Sequence, residues 1–263
     1  MALEIRRLAV SYASTKGAAN PPAITDIDVT VEEGEFISII GPSGCGKSTL
    51  LHCIGGMLTP SSGEVAVAGE RITGPNPSRA AFVFQDYSLF PWRTAVDNAA
   101  TGLRFAGQSK TKRRAAALKQ LELVGLADRA DAYPSELSGG MQQRVAVARA
   151  LAMNPDILLL DEPFGALDEQ SRRRIGLEMS RVLTETGKTV IMVTHSLDEA
   201  IFWADRILVM CAGPGRIVDD LHVDEPRPRR LEFMTSTGFD VLRNHIFRQL
   251  EGQSDTELRK AVR

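Results

Sequence analysis

Apolar and polar side chains follow two rhythms along this chain. Leu3–Ser11 and Ile24–Val31 carry apolar residues interleaved with polar ones, as edge strands with one buried face do. The polar, Gly- and Pro-containing stretch Ala13–Pro22 joins them as a loop. Phe36–Ile40 is an apolar run but for Ser38 and Ile157–Leu160 a continuous aliphatic one, the pattern of strands buried on both faces of a parallel sheet. Val65–Ala68, Ala80–Phe84 and Thr189–Thr194 read as further strands, and Thr49–Met57 spaces its apolar residues for a helix. From about 95 to 152 the character is helical, with a basic stretch at 109–126, a second helix after Gly140 and, beyond the 157–161 strand, a polar helix over about 168–186. This order predicts an α/β core into which a helical segment, about 86–152, is inserted.

The end of the chain has a different texture. Asp219–Arg230 mixes acidic and basic residues, and Phe239, Leu242, Ile246, Phe247 and Leu250 recur at helical spacing. Residues 219–263 are therefore expected to be a charged tail with a short amphipathic helix packing on its own domain.

Composition narrows the class. With 263 residues, 43% of them apolar, the chain can bury a substantial core. A net charge of -2 supplies no global field for nucleic acid, which is not expected as a partner. MALEIRRLAV lacks the longer apolar segment of a secretory signal, and no stretch approaches the roughly 20 apolar residues of a membrane span. Cys45, Cys53 and Cys211 make no metal-binding spacing, and the odd count suits a reducing compartment.

The chemistry begins at residues 41–49, GPSGCGKST. Gly41, Gly46, Lys47 and Ser48 meet the pattern G-x-x-x-x-G-K-[ST], between a predicted strand and a predicted helix. Gly41, Gly44 and Gly46 let the backbone wrap phosphates with its N–H groups, and the helix start adds positive charge. Gly41, Pro42, Ser43, Gly44, Cys45, Gly46, Lys47, Ser48 and Thr49 are thus candidate nucleotide-binding positions. Lys47 reaches the terminal phosphates and the Ser48 hydroxyl holds Mg²⁺, while Cys45 serves as small filler. The run Ile157–Leu160 ends in Asp161 and Glu162, and Pro163 stops the strand. Carboxylates at the carboxyl end of such a strand lie beside the phosphate loop in doubly wound sheets. Asp161 is the Mg²⁺ candidate, and Glu162 the group that takes a proton from, or orients, an attacking water.

About ninety residues after the phosphate loop stands Leu137–Gly140, LSGG, ahead of the helical MQQRVAVARAL. Ser138 is an N-cap residue type, and a helix start can face an anion with its unsatisfied donors. With phosphate loop, LSGG and ILLLDEP in this order, residues 1–220 resemble the ATP-binding subunit of an ABC transporter. The resemblance implies a P-loop ABC-type ATPase core with an antiparallel β subdomain and an inserted α-helical subdomain, a single nucleotide-binding domain over 1–250. It implies a head-to-tail homodimer with ATP between the phosphate loop of one copy and Ser138, Gly139 and Gly140 of the other. By the same resemblance Tyr12 stacks on adenine, and Gln85 links Mg²⁺ or the attacking water to the helical subdomain. Asp168 crosses the dimer interface, and His195 contacts the terminal phosphate. One position departs from the family's LSGGQ: Met141 stands where glutamine is commonest, with Gln142 and Gln143 following.

LFPWR at 89–93, Asn98 and GPGRIV at 213–218 resemble the nitrate/sulfonate/taurine importer branch. That branch implies two permease subunits met through the Phe90–Trp92 region, a separate substrate-binding protein, and a peripheral place on the cytoplasmic face of the inner membrane. Export or lipid handling is the competing reading. A DNA-repair or chromosome ATPase is disfavoured because no long heptad repeat separates the phosphate loop from LSGG. A translation-associated ATPase would carry two nucleotide domains, and a GTPase the absent [NT]-K-x-D motif.

Overall fold

The computed structural model describes residues 1–12, 21–165 and 169–261, and of 169–171, 173 and 252–261 the backbone only. Its strands in chain order are β1 (Leu3–Val10), β2 (Ile24–Val31), β3 (Phe36–Ile40), β4 (Ser62–Val67), β5 (Glu70–Arg71), β6 (Ala80–Val83), β7 (Ile157–Asp161), β8 (Thr189–Val193), β9 (Arg206–Cys211) and β10 (Arg216–His222). Its helices are α1 (Lys47–Ile54), α2 (Ala95–Ala99), α3 (Thr101–Phe105), α4 (Lys110–Leu123), α5 (Gly139–Ala152), α6 (Glu169–Thr186), α7 (Leu197–Trp203) and α8 (Thr237–Ala261). The chain divides into two compact units, Met1–Pro75 with Thr189–Arg263, and Asn76–Lys188.

The first unit holds an antiparallel sheet in the order β2-β1-β4-β5 and a run of strands β10-β9-β3-β8. Leu3, Ile5, Leu8 and Val10 of β1 are buried in alternation, as are Ile27, Val29 and Val31 of β2. β3 pairs in parallel with both β8 and β9, and every residue of β3 and β8 is buried, which explains why they are apolar apart from Ser38 and Thr189. Leu50, Leu51 and Ile54 add one face of α1 to this core. The expected strand Val65–Ala68 begins earlier, at Ser62. Its polar start pairs with β1, Ala9 opposite Ser62, and carries no apolar signal.

α1 begins at Lys47 rather than Thr49 because Gly46, at φ 97°, turns the chain straight into the helix. At the far end of the unit two expectations change. Residues 219–222 belong to β10, antiparallel to β9, and the helix expected to be short runs from Thr237 to Ala261. Phe239 and Ile246 are buried as expected, but Phe247 is 48% exposed. The helix outlasts its apolar stripe because Glu, Leu, Arg, Lys and Ala at its end are strong helix formers. Arg229 is buried and donates to the carbonyls of Ile201, Phe202 and Ala204, closing the carboxyl end of α7. Burial pushes its guanidinium down to about 10.

The second unit pairs β6 in parallel with β7, Val83 opposite Leu160. Helices α2, α4 and α5 pack on one another, and α5 packs on β6. The unit thus contains more than the helices expected between about 86 and 152, since β6, β7 and α6 belong to it. Among the described residues no helix is long and apolar enough to cross a membrane.

Candidate functional site

The first unit carries the phosphate loop between β3 and α1. Lys47 is buried, and its ammonium donates to the carbonyls of Gly41 at 2.9 Å and Pro42 at 3.0 Å. No carboxylate pairs with it among the described residues. A buried cation held only by neutral acceptors is suited to an incoming anion. Ser43, Gly44 and Ser48 face solvent, whereas Cys45 is fully buried with its sulfur 4.0 Å from the Lys47 ammonium. Desolvation pushes the Cys45 thiol up, which suits filler rather than a nucleophile.

The glycines have separate causes. A Cβ on Gly41 would stand 2.7 Å from the Cys45 sulfur and 2.6 Å from the Met210 carbonyl. Gly44, at φ 79°, has open space around it, so its backbone angle is what demands glycine. At Gly46 a Cβ would run into Ile24, the first residue of β2.

Two further residues of this unit flank the loop. The Tyr12 hydroxyl lies 3.0 Å from the Thr49 hydroxyl, and its ring is 51% exposed, open to a stacking partner. Val193 stands opposite Ile39 at the end of the β3–β8 register, and His195 follows two residues on. His195 is exposed. The turn after it is held by Thr194, whose hydroxyl donates to Glu199 at 2.6 Å and accepts from the Ser196 amide at 3.0 Å.

In the second unit the β6–β7 register ends with Val83 opposite Leu160, and Gln85 and Glu162 each follow two residues on. Glu162 adopts φ 44°, and its carbonyl accepts from the Gly165 amide at 3.0 Å. A Cβ on Gly165 would stand 3.0 Å from the Gln85 amide nitrogen, so glycine there leaves the space that Gln85 occupies. Gln85, Asp161 and Glu162 are brought together, Asp161 and Glu162 half-buried and Gln85 exposed. Asp168 lies outside the described residues.

The LSGG segment opens α5 in the same unit. Ser138 is its N-cap, accepting from the Met141 amide at 3.3 Å, and Ser138 and Gly139 are exposed. Gly140 is buried, and a side chain there would collide with Ile175 of α6. The glutamines after Met141 do not replace the missing family glutamine. Gln142 donates to the carbonyls of Pro134 and Leu137 at 2.9 and 3.2 Å, and Gln143 is fully buried.

Sequence reading missed how two distant segments serve these loops. GPGRIV, read as a branch marker, braces the phosphate loop: Gly215 exchanges hydrogen bonds with Ala23 and Thr25 at 2.9 Å, and any Cβ on it would strike the Cys45 carbonyl. Asn98, fully buried, accepts from the Phe90 amide at 2.7 Å and donates to the carbonyls of Phe90, Arg93 and Thr94. It thereby shapes the LFPWR segment, which leaves Trp92 70% exposed. The signal was present at both places as Gly-Pro-Gly and a lone Asn, without a partner to interpret it.

Each unit by itself carries hard oxygen donors of the kind Mg²⁺ takes: the Ser48 hydroxyl in the first turn of α1 in one, and the Asp161 carboxylate and Gln85 amide oxygen in the other. No cluster of three or more His, Cys, Asp or Glu among the described residues forms a ready metal cage. A site of few protein ligands completed by water and phosphate is how Mg²⁺ is usually held.

Residues 24–165 match a family profile described as ABC transporter. Over 235 residues the chain is 47% identical to the nitrate import ATP-binding protein NrtC of Synechococcus elongatus, covering 88% of this chain and 36% of that protein. Similarity to the bicarbonate transport ATP-binding protein CmpC of the same organism is 46% over 235 residues, 88% of this chain and 35% of CmpC. The chain therefore spans little more than a third of either relative. Its fold matches a dimeric structure of a post-hydrolysis state of the ATP-binding cassette MJ0796 bound to ADP and Pi, with TM-score 0.72 and 33% identity, covering 85% of this chain and all of that one. A match to more than half of the sequence, on a fold with the same antiparallel sheet and helical region, shows that this chain belongs to the ABC transporter family as an ATP-binding protein.

Proposed function

We propose that this chain is the ATP-hydrolysing subunit of a membrane importer for small anions of the nitrate, bicarbonate or sulfonate kind. Two observations support the hydrolytic part, one in each unit: a buried, anion-ready Lys47 in the first, and in the second a carboxylate turn at whose Gly165 the Gln85 amide rests. The cargo class rests on the names of NrtC and CmpC and on the LFPWR and GPGRIV segments.

In this reading the amides of residues 41–48 and the Lys47 ammonium bind the phosphates, and Tyr12 stacks on the adenine. Glu162 orients the attacking water and accepts its proton, a contribution of roughly 10²- to 10⁴-fold. Gln85 holds the same water from the other side, and His195 donates to the terminal phosphate. Ser138 and Gly139 of a second copy present the amino end of α5 to that phosphate, with Asp168 at the same interface. Bound Mg²⁺ would be held by Ser48, Asp161 and Gln85 and would neutralise developing charge on the phosphates. Because the composite site binds ATP better when two copies close around it, ATP shifts the pair toward the closed state and hydrolysis releases it.

Two permease subunits and a substrate-binding protein complete the importer, and the chain sits peripherally on the cytoplasmic face of the membrane through them. The exposed Trp92, its ring tilted by 49° at 5.5 Å from Phe90 with Arg93 over the Phe90 ring at 4.7 Å, is a docking point for a permease.

The chemistry is tested with Glu162→Gln. Turnover should fall at least about a hundredfold while ATP binding persists, and light scattering should find an ATP-dependent dimer. A variant that hydrolyses normally, or stays monomeric with Mg-ATP, defeats the proposed site. Trp92→Ala should leave ATPase activity of the isolated chain unchanged and abolish transport, and normal uptake would remove the docking assignment. For the cargo, a strain lacking this chain is grown on nitrate as sole nitrogen source and on taurine as sole sulfur source, with ammonium and sulfate as controls. A defect confined to one anion names it, and equal growth on all four counts against import of these anions.

A further inference from the structure

The segment that follows Gln85 is built in an unusual way. Tyr87 and Ser88 are consecutive residues in the left-handed region, at φ 53° and 47°, and neither is glycine. Side-chain-bearing residues populate that region sparsely and remain there only where their surroundings hold them. The holder is Arg149, near the carboxyl end of α5. Its two terminal nitrogens donate to the Ser88 carbonyl at 2.6 Å and the Tyr87 carbonyl at 2.7 Å, a forked, charge-assisted grip. No carboxylate pairs with Arg149 among the described residues, so this guanidinium is committed to the loop. Burial that pushes its pKa down agrees with a cation placed there at some cost. The Tyr87 side chain is buried, and the Tyr87 amide donates back to the Phe84 carbonyl at 3.1 Å, closing the turn around Gln85.

We propose that Arg149 is a positioning residue for Gln85, and that it ties the loop after β6 to the helix that opens at Ser138. The grip sets the direction in which the chain leaves β6. That direction keeps Gln85 against the space left by Gly165, beside the Glu162 carbonyl. Releasing it lets Tyr87 and Ser88 relax to right-handed backbone, and Gln85 turns away from the carboxylate turn. Since α5 carries Ser138 at one end and Arg149 toward the other, a displacement at its amino end is delivered to Gln85 through a rigid helix. The catalytic consequence rests on the ATPase reading above; the mechanical link does not.

The test therefore has two arms: hydrogen exchange of the peptide 84–92 in the nucleotide-free chain, and steady-state ATP hydrolysis. Arg149→Ala should raise exchange in that peptide about tenfold with the rest of the chain unchanged. It should lower kcat about tenfold and hold KM for ATP within about twofold, a loss on the order of one decade in rate. Adding Ser88→Gly, which removes one steric cost of the left-handed turn, should restore several-fold of the lost kcat. Arg149→Lys, a folded fallback with one point donor in place of the fork, should fall between wild type and alanine. Unchanged exchange or unchanged kcat in Arg149→Ala overturns the proposal. So does a loss of kcat, ATP affinity and protection throughout the chain together, without rescue by Ser88→Gly, which marks a merely structural arginine. A wild-type chain with no ATPase activity would instead defeat the function proposed above, and the exchange arm would still decide the grip.

Discussion

Left-handed backbone occurs among the candidate residues of both units, on glycine in one half of the chain and on other residues in the other. In the phosphate loop it falls on Gly44 and Gly46; in the second unit it falls on Tyr87, Ser88 and Glu162. Glycine takes these angles without a steric penalty, so the loop holds its curve by its own covalent structure and by Ile24 and Gly215 pressed against it. Tyr87, Ser88 and Glu162 are held by outside contacts: the Arg149 fork in one case, the Gly165 amide in the other. A phosphate cradle that must bind the same polyanion at every cycle gains from fixed amides. A turn that presents Gln85 and Glu162 only under certain conditions gains from a conformation its neighbours can release. The lesson is that one half is rigid by composition and the other by contact.

Gly46→Ala is the harshest way to break that contrast. A Cβ at φ 97° and against Ile24 adds on the order of 1–3 kcal/mol of backbone strain, before any packing cost. Nucleotide binding should be lost, and the melting temperature should drop by roughly 2–4 °C per kcal/mol. A fluorescent ATP analogue and a thermal melt read both, and unimpaired binding would show the loop less rigid than described. Gly165→Ala should act more gently. Its Cβ meets the Gln85 amide at 3.0 Å, a contact a side chain can yield to, so kcat falls several-fold while ATP affinity stays. An equal loss of affinity in this variant would mean that the two halves do not divide binding from chemistry.

The smallest effect is on the rigid half's pH response. Desolvation pushes the Cys53 thiol, in α1, up to about 11 from an ordinary 9.0. Its raised pKa contributes stability that is fully present below pH 9 and is lost as pH rises from 9 toward 11, because the unfolded thiol ionises first. Cys53→Ala should flatten the decline of stability with pH between 9 and 11, measured by chemical denaturation. An identical slope in both proteins would show that Cys53 does not titrate differently on folding.

Legibility in the sequence followed how local the physics is. Phe36–Ile40 and Thr189–Val193 announced themselves because strands buried on both faces are nearly continuous apolar runs, with Ser38 and Thr189 as the buried polar exceptions. GPSGCGKST, LSGG and ILLLDEP could be read because each is one contiguous turn whose chemistry lies in its own residues. Arg149 could not be read, since an arginine in a helical run is ordinary until the carbonyls of residues 87 and 88 meet it across 61 and 62 positions. Asn98 and Gly215 stayed obscure for the same reason, and nothing in the sequence showed that Gln142, noted only as following Met141, serves Pro134 and Leu137.

What the chain determined by itself is the α/β class, the phosphate loop and the residue types of its chemistry, since these follow from periodicity and from backbone angles that only certain residues adopt. Only the tertiary structure decided the registers that set Val83 opposite Leu160 and Val193 opposite Ile39, just ahead of the candidate residues. It also decided which glycines are demanded by angle and which by a neighbour, and which arginine holds a strained turn. Pairings of that kind join residues far apart in sequence, and a contact that arises only when the chain has closed on itself leaves no periodic trace in either partner.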